Sequence, residues 1–275
     1  MSACSRLGRM QLVDTTRYPV ESLGSAVGQR LIADCVRSYA NDGAVVLPGF
    51  LTADAVESIA RESHAQISRA FFCRSEHTVF LDEGRPGDGG NESDPFDPRR
   101  RMLQTSVGSI ANDFLDPQGA LQQLYEWAPL TAFIGAVLGH ANFHRGADPL
   151  GALSINVYGQ GDLHEWHFDE SQFSVTFMIQ EADVGGHFEY VSGLRSDGHV
   201  DIAGIQQVLD GDESQVQRLP FGAGSLSIFA GRNTLHRVTE VAGTRHRLVP
   251  VLTYATTPGS ANSDAVRELF WGRTA

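Results

Sequence analysis

Residues 151–180 read GALSINVYGQGDLHEWHFDESQFSVTFMIQ, and their period decides the fold. Leu153, Ile155 and Val157 alternate with Ser154, Asn156 and Tyr158. Phe173, Val175, Phe177 and Ile179 alternate with Ser174, Thr176, Met178 and Gln180. A period of two marks strands, because successive side chains point to opposite faces. Further short strands fit 186–191, 225–229 and 245–254, with Gly-containing turns and no helices between them. Such a series predicts a mainly β fold of antiparallel sheets, a sandwich or jelly roll.

Upstream the period lengthens. Residues 20–41 predict a helix with Val27, Leu31, Ile32, Cys35 and Val36 on one inward stripe, and a short buried strand follows at 44–47. Thr52 is the expected N-cap of a second helix carrying Val56, Ile59 and Ile67. Phe71 and Phe72 are expected in the core. Residues 118–139 predict one or two helices with Leu121, Leu124, Leu130, Phe133, Ile134, Val137 and Leu138 inward. Between these, 82–98 is rich in Gly, Pro, Asp and Glu and reads as a surface loop or a lid. The whole chain, 1–275, is expected to form one domain: residues 1–145 a mostly helical support, 146–275 the β core.

With 33 acidic and 21 basic residues the net charge is −12, which argues against a nucleic-acid or anionic-membrane partner. Cys4, Cys35 and Cys73 form no CxxC, Met1 to Met10 lack a signal-like apolar run, and no stretch reaches membrane-spanning length. A cytoplasmic protein is expected.

Chemistry concentrates in His164-Glu165-Trp166-His167-Phe168-Asp169-Glu170. On a strand His167 and Asp169 share a face, and an imidazole beside a carboxylate suits a divalent metal. His236, after the turn that follows the 225–229 strand, can reach the same barrel mouth and complete a two-His, one-carboxylate triad with open positions. Arg247 shares a strand face with Val249, Val251 and Thr253. If that face points inward, the cation needs an anion. Equally, Leu248 and Leu252 could be the core face and Arg247 an outward residue. Of Arg99, Arg100 and Arg101, at most one is expected to clamp a substrate carboxylate, and Arg101 is the candidate. Glu165 is a candidate partner for a ligating His, and the remaining histidines, His77 among them, read as surface or satisfied core residues.

His167-x-Asp169, the distal His236, and an arginine eleven positions later resemble the Fe(II)/2-oxoglutarate-dependent oxygenases. The stretches at 147–149, 164–170, 173–176 and 185–191, His236-Arg237-Val238-Thr239 and Trp271-Gly272-Arg273 are similar to the branch of free-amino-acid halogenases and their hydroxylase relatives. The resemblance covers most of 146–273. It implies a double-stranded β-helix buttressed by N-terminal helices, with Fe(II) on His167, Asp169 and His236. It also implies 2-oxoglutarate on Arg247 (Arg245 if the register slips) and O2 as second co-substrate. By the same resemblance His164, Glu170, Thr253 and Trp271 hold the substrate, a small polar molecule such as a free amino acid or derivative. Strict alternation puts His164 and Glu170 on the wrong face, so a bulge or a strand end is needed there. The halogenases of this branch have glycine where this chain has Asp169, so the resemblance implies hydroxylation. Desaturation, a cupin-like metalloenzyme without 2-oxoglutarate and a non-catalytic binding domain are the alternatives. The departure at Pro149, Leu150, Gly151 and Ala152, where lysine-specific relatives carry acidic residues, speaks against lysine. The oligomeric state is not legible.

Overall fold

The alternating segments form strands in the computed structural model, which describes residues 11–81 and 97–275. The candidate lid at 82–98 therefore falls, except for Asp97 and Pro98, outside the described residues. Cys4 does too.

The main sheet has eleven strands: β1 (Ala44–Leu47), β2 (Phe71–His77), β3 (Leu103–Ile110), β4 (Leu153–Tyr158), β5 (Leu163–His167), β6 (Ser174–Phe177), β7 (Phe188–Val191), β8 (Gln217–Arg218), β9 (Leu226–Phe229), β10 (Leu235–Val238) and β11 (Arg247–Leu252). Their order is β1-β9-β6-β11-β4-β3-β5-β10-β7-β8, with β2 on the other edge of β3 and every pairing antiparallel. β4 and β5 pair with the same edge of β3, because Leu103 to Ser109 pair with β2 along the other edge. The path therefore turns back at β3, and the strands fall into two groups, β1-β9-β6-β11-β4 and β5-β10-β7-β8, rolled into a double-stranded β-helix. β3 is the seam, since Gly108 to Ile110 pair with β4 while Thr105 and Ser106 pair with β5.

Helices α1 (Ala26–Asp42), α2 (Ala53–Gln66), α3 (Ala120–Glu126) and α4 (Ala128–Val137) cover one outer face. Ser25 and Thr52 cap the first two, accepting from Gly28 N and Ala55 N. Cys35, Ile59, Leu124, Phe133 and Ile134 pack on Leu153, Ile155, Val175, Phe177, Leu226, Ile228, Leu248 and Leu252 in one cluster. The apolar half of the alternation thus faces the helices. The polar half, including Ser154, Tyr158, Ser225 and Ser227, is also buried and lines the inside of the roll.

Four expectations need correction. The inward stripe of α1 centres on Gly28, Leu31, Cys35 and Tyr39, while Val27 and Val36 are exposed. Gly28 sets that rotation, since a Cβ there would lie 2.4 Å from the Ser22 carbonyl. Phe71 and Phe72 are 41% and 38% exposed, because among the described residues β2 is an edge strand paired only with β3. The N-terminal half supplies three strands of the sheet as well as helical support. Helix α5 (Ile202–Leu209) interrupts the C-terminal strands, and α6 (Asp264–Trp271) follows them.

α6 is tied to the turn before β4 by Asp148, which is 1% exposed and accepts from Leu150 N, Gly151 N, Asn262 N and Arg267 Nε. Burial raises its carboxyl pKa, but Arg267 and the three backbone N–H groups outweigh burial and hold it below the usual range. A depressed folded value means its stabilisation is complete above the unfolded carboxylate range, about pH 4, and fades as pH falls further. Asp148→Asn is expected to cost about 3 kcal/mol at pH 7 and to flatten the acid limb below pH 4, read by urea melts across pH. An unchanged acid limb would assign the acid sensitivity elsewhere.

Candidate active site

His167 is the last residue of β5 and stands directly opposite His236 of β10 in the antiparallel register. Cross-strand partners project to one face, and the two rings lie 4.1 Å apart between centroids. Asp169 lies two residues beyond the strand, yet its backbone N donates to Gly231 O, which extends the pairing and keeps its side chain on that face. Asp169 Oδ1 is 3.5 Å from His167 Nε2 and 3.4 Å from His236 Nε2, and the three ligand atoms all fall within 4.8 Å. Neighbouring ligands held at right angles about 2.1 Å from one ion are about 3 Å apart, so this cluster is dimensioned for a metal.

The protons are placed accordingly. His167 Nδ1 meets the Glu165 carbonyl at 2.7 Å and His236 Nδ1 meets the Thr234 carbonyl at 2.9 Å. A carbonyl only accepts, so both Nδ1 atoms carry hydrogen and both Nε2 lone pairs face Asp169. Glu165 meets the His167 ring through its backbone carbonyl and not through its carboxylate. Burial, then His236, pushes the His167 pKa down to about 4, leaving the ring neutral. Burial raises the Asp169 carboxyl, but His236 and His167 outweigh it and keep it ionised, well below its usual range. Ser174 Oγ donates to Asp169 Oδ2 at 2.6 Å, which leaves Oδ1 for the shared point. Gly231 is obligatory beside it, since a Cβ there would lie 2.0 Å from Oδ2.

Both a bulge, beside His164, and a strand end, at His167, are present. The register between β5 and β10 shifts between His236, opposite His167, and Val238, opposite His164. His164 consequently stacks on His167, with centroids 3.7 Å apart and planes 11° apart. Burial, together with the neighbouring His167, His77 and His236, holds its pKa well below the ordinary value. His77 completes the wall, and of the two readings the sequence left open, surface or satisfied core, it takes the second. Nδ1 donates to Thr78 O, and Nε2 accepts from Thr105 Oγ1 at 2.6 Å. Its place edge-on to His164 and His167 was not foreseen, and neither was Ser174. The only sequence signal was that both lie on inward positions of strands.

Arg247 opens β11 and is 2% exposed. Leu248 and Leu252 face the helices, whereas Val249 packs with Phe188 and Phe229, the two rings that flank His236. Both faces of β11 are buried, and Arg247 is on the metal side. Its guanidinium lies 5.2 Å from the ring of Tyr158, its cross-strand partner, and Nε has no partner among the described residues. No described carboxylate lies within 4 Å of it, whereas Arg245 is exposed and bound to Asp183 only through its backbone N.

The remaining candidates lie as follows. Glu170 is exposed, and its carbonyl accepts from Arg232. Thr253 Oγ1 donates to Gly151 O, Arg101 pairs with Asp210, and Arg99 with Asp97. Trp271 packs on Ala111 and Leu150, with its indole N–H buried and unpartnered among the described residues.

A family model described as Halogenase D matches residues 97–269. Among curated protein sequences none matches. Solved structures do. The epimerase SnoN in complex with Fe3+, alpha-ketoglutarate and nogalamycin RO is 15% identical (TM-score 0.54, covering 82% of this chain and 84% of that one). HygX from Streptomyces hygroscopicus, with nickel, 2-oxoglutarate and hygromycin B bound, is 12% identical (TM-score 0.54, 82% and 88%). AviO1 from Streptomyces viridochromogenes Tue57 is 17% identical (TM-score 0.53, 84% and 97%). At such identities the likeness shows the fold.

Proposed function

Since the chain belongs to the Halogenase D family, within the 2OG-Fe(II) oxygenase fold, we propose that it is an Fe(II)- and 2-oxoglutarate-dependent hydroxylase of a free amino acid or amino-acid derivative, folded as one domain. One observation carries the choice of hydroxylation: Asp169 sits within the ligand cluster, its Oδ1 between the two Nε2 atoms. Halogenation is the competing reading, favoured by the description of the family model. It needs a coordination position for halide, which the Asp169 carboxylate fills.

His167, His236 and Asp169 would hold iron on one side, leaving three positions open. Arg247 would take the distal carboxylate of 2-oxoglutarate in its planar fork, with Tyr158 alongside. Bound together, iron and keto acid supply the oxidant that converts C–H to C–OH, with O2 consumed and succinate and CO2 released. The chain supplies placement and dryness. Phe188 and Phe229 pack around His236, and His164 and His77 close the side of His167, so water is kept from the reacting centre. His164 is the residue we assign to the substrate head, because its ring already lies against a ligand. Trp271 offers a free indole donor, whereas Thr253 and Arg101 would each have to leave an existing partner and Glu170 to turn inward from solvent. Cys35 and Cys73, buried free thiols, fit a reducing cytoplasm. No helix among the described residues is long and apolar enough to cross a membrane.

The test is anaerobic loading with Fe(II) and 2-oxoglutarate, then oxygen, against a panel of amino acids and their derivatives. Matched succinate and one added oxygen in the product are expected for some member. Succinate that ignores every member would sink the amino-acid reading and leave the oxygenase standing. Chlorine in the product would overturn hydroxylation.

A further inference from the structure

We propose that the chain forms a two-fold dimer by pairing β2 with β2 of a second copy, in the register that sets Arg74 of each copy opposite Glu76 of the other. β2 is seven residues long and, among the described residues, pairs on one side only, with β3, so its other edge carries backbone donors and acceptors with no partner there. Four of the eight large exposed apolar side chains among the described residues, Phe71, Phe72, Met102 and Leu269, lie on β2, just before β3 and on α6, which packs against β2. Phe72 lies across Gly108, where a Cβ would be 2.9 Å from its ring, and the rest of the ring meets solvent. An exposed, part-aromatic edge is a template for another strand.

The register follows from symmetry and charge. An antiparallel pair of identical strands is related by an axis normal to the sheet, so a face maps onto the same face. Outward residues then oppose outward residues. On β2 the outward set is Phe72, Arg74 and Glu76, and the inward set includes the buried Cys73 and His77. The axis must therefore pass through a residue. Through Arg74, two like cations would meet. Through Cys73, Phe72 would face Arg74 and leave Glu76 unmatched. Through Ser75, Arg74 meets Glu76 twice. Neither residue has an ion-pair partner within 4 Å among the described residues, so both charges are free for this exchange. Directly opposed cross-strand residues lie about 5 Å apart at Cβ, within reach of such a pair.

Sedimentation equilibrium of the full chain between 1 and 100 μM is expected to show a monomer–dimer equilibrium. Arg74→Glu sets two pairs of carboxylates opposite each other and is expected to weaken the dimer at least tenfold. Arg74→Glu combined with Glu76→Arg restores complementarity and should return the dissociation constant to within about threefold of the parent. Far-ultraviolet circular dichroism on each variant separates dissociation from unfolding. A monomer at 100 μM, or a dimer indifferent to Arg74→Glu, would overturn the proposal. So would an exchanged variant as weak as the single one. None of these outcomes bears on the hydroxylase reading, which is tested by product analysis.

Discussion

Asp169→Gly is expected to lose the proposed hydroxylation at least about 100-fold and to bind Fe(II) more weakly, because one of the three proposed protein ligands is gone. Deleting the carboxylate also frees the Ser174 hydroxyl and opens the space beside Gly231, where the carboxylate is now packed. A halide can enter that space, so chloride is expected to change the visible absorption of the iron-loaded variant and not that of the parent. Gly231→Ala supplies the control. In the parent its Cβ would collide with Asp169 Oδ2, so iron content should fall; in the Asp169→Gly background the methyl fits but occupies the halide space, and chloride sensitivity should vanish. Undiminished hydroxylation in Asp169→Gly would remove Asp169 from the ligand set and, with it, the ground for choosing hydroxylation over halogenation.

Arg247→Met is expected to move stability and co-substrate affinity in opposite directions. A guanidinium 2% exposed, with Nε unpartnered, carries a desolvation cost that Tyr158 offsets only in part. Burial already draws its pKa below the ordinary arginine value. An apolar side chain of similar length removes that cost, so the ligand-free protein should be about 1–3 kcal/mol more stable, visible as a higher Tm. In the role proposed for Arg247 the same change would remove the fork for the distal carboxylate of 2-oxoglutarate, and half-saturation should require about 100-fold more keto acid. The parent should regain the difference on adding 2-oxoglutarate, while the variant should not. A lower Tm together with unchanged 2-oxoglutarate dependence would mark Arg247 as structural and favour a metalloenzyme that does not use the keto acid.

From 151 onward β4, β6, β7, β9 and β11 were legible because each carries its own period, and His167-x-Asp169 because its two residues are close in sequence, whereas His236, far along the chain, had no such local signal. β2 and β3 were not. FFCRSEH and LQTSVGSI have no apolar alternation, since one is an exposed edge and the other buries small polar residues within the roll. His164 was suspected on resemblance but lay on the wrong face by strict alternation, and only the register shift opposite Val238 turns it toward His167. In α1 the apolar residues fitted a stripe through Val27 and Val36, but the true stripe runs through a glycine, and hydrophobicity gives a glycine no weight.

The sequence by itself supplied the period of most strands after 151 and singled out His167, Asp169 and His236 as a candidate trio, with a carboxylate at Asp169 on which the expectation of hydroxylation rests. Which face of each strand looks at the metal was decided only by the tertiary structure. A period of two says that alternate residues differ, not that the polar ones meet water. Here the sheet rolls until both faces are inside: Leu248 goes to the helices, Arg247 to the metal side, and the polar half of the pattern lines the cavity. Closing that roll depends on contacts between strands far apart in the chain, and no local pattern encodes them.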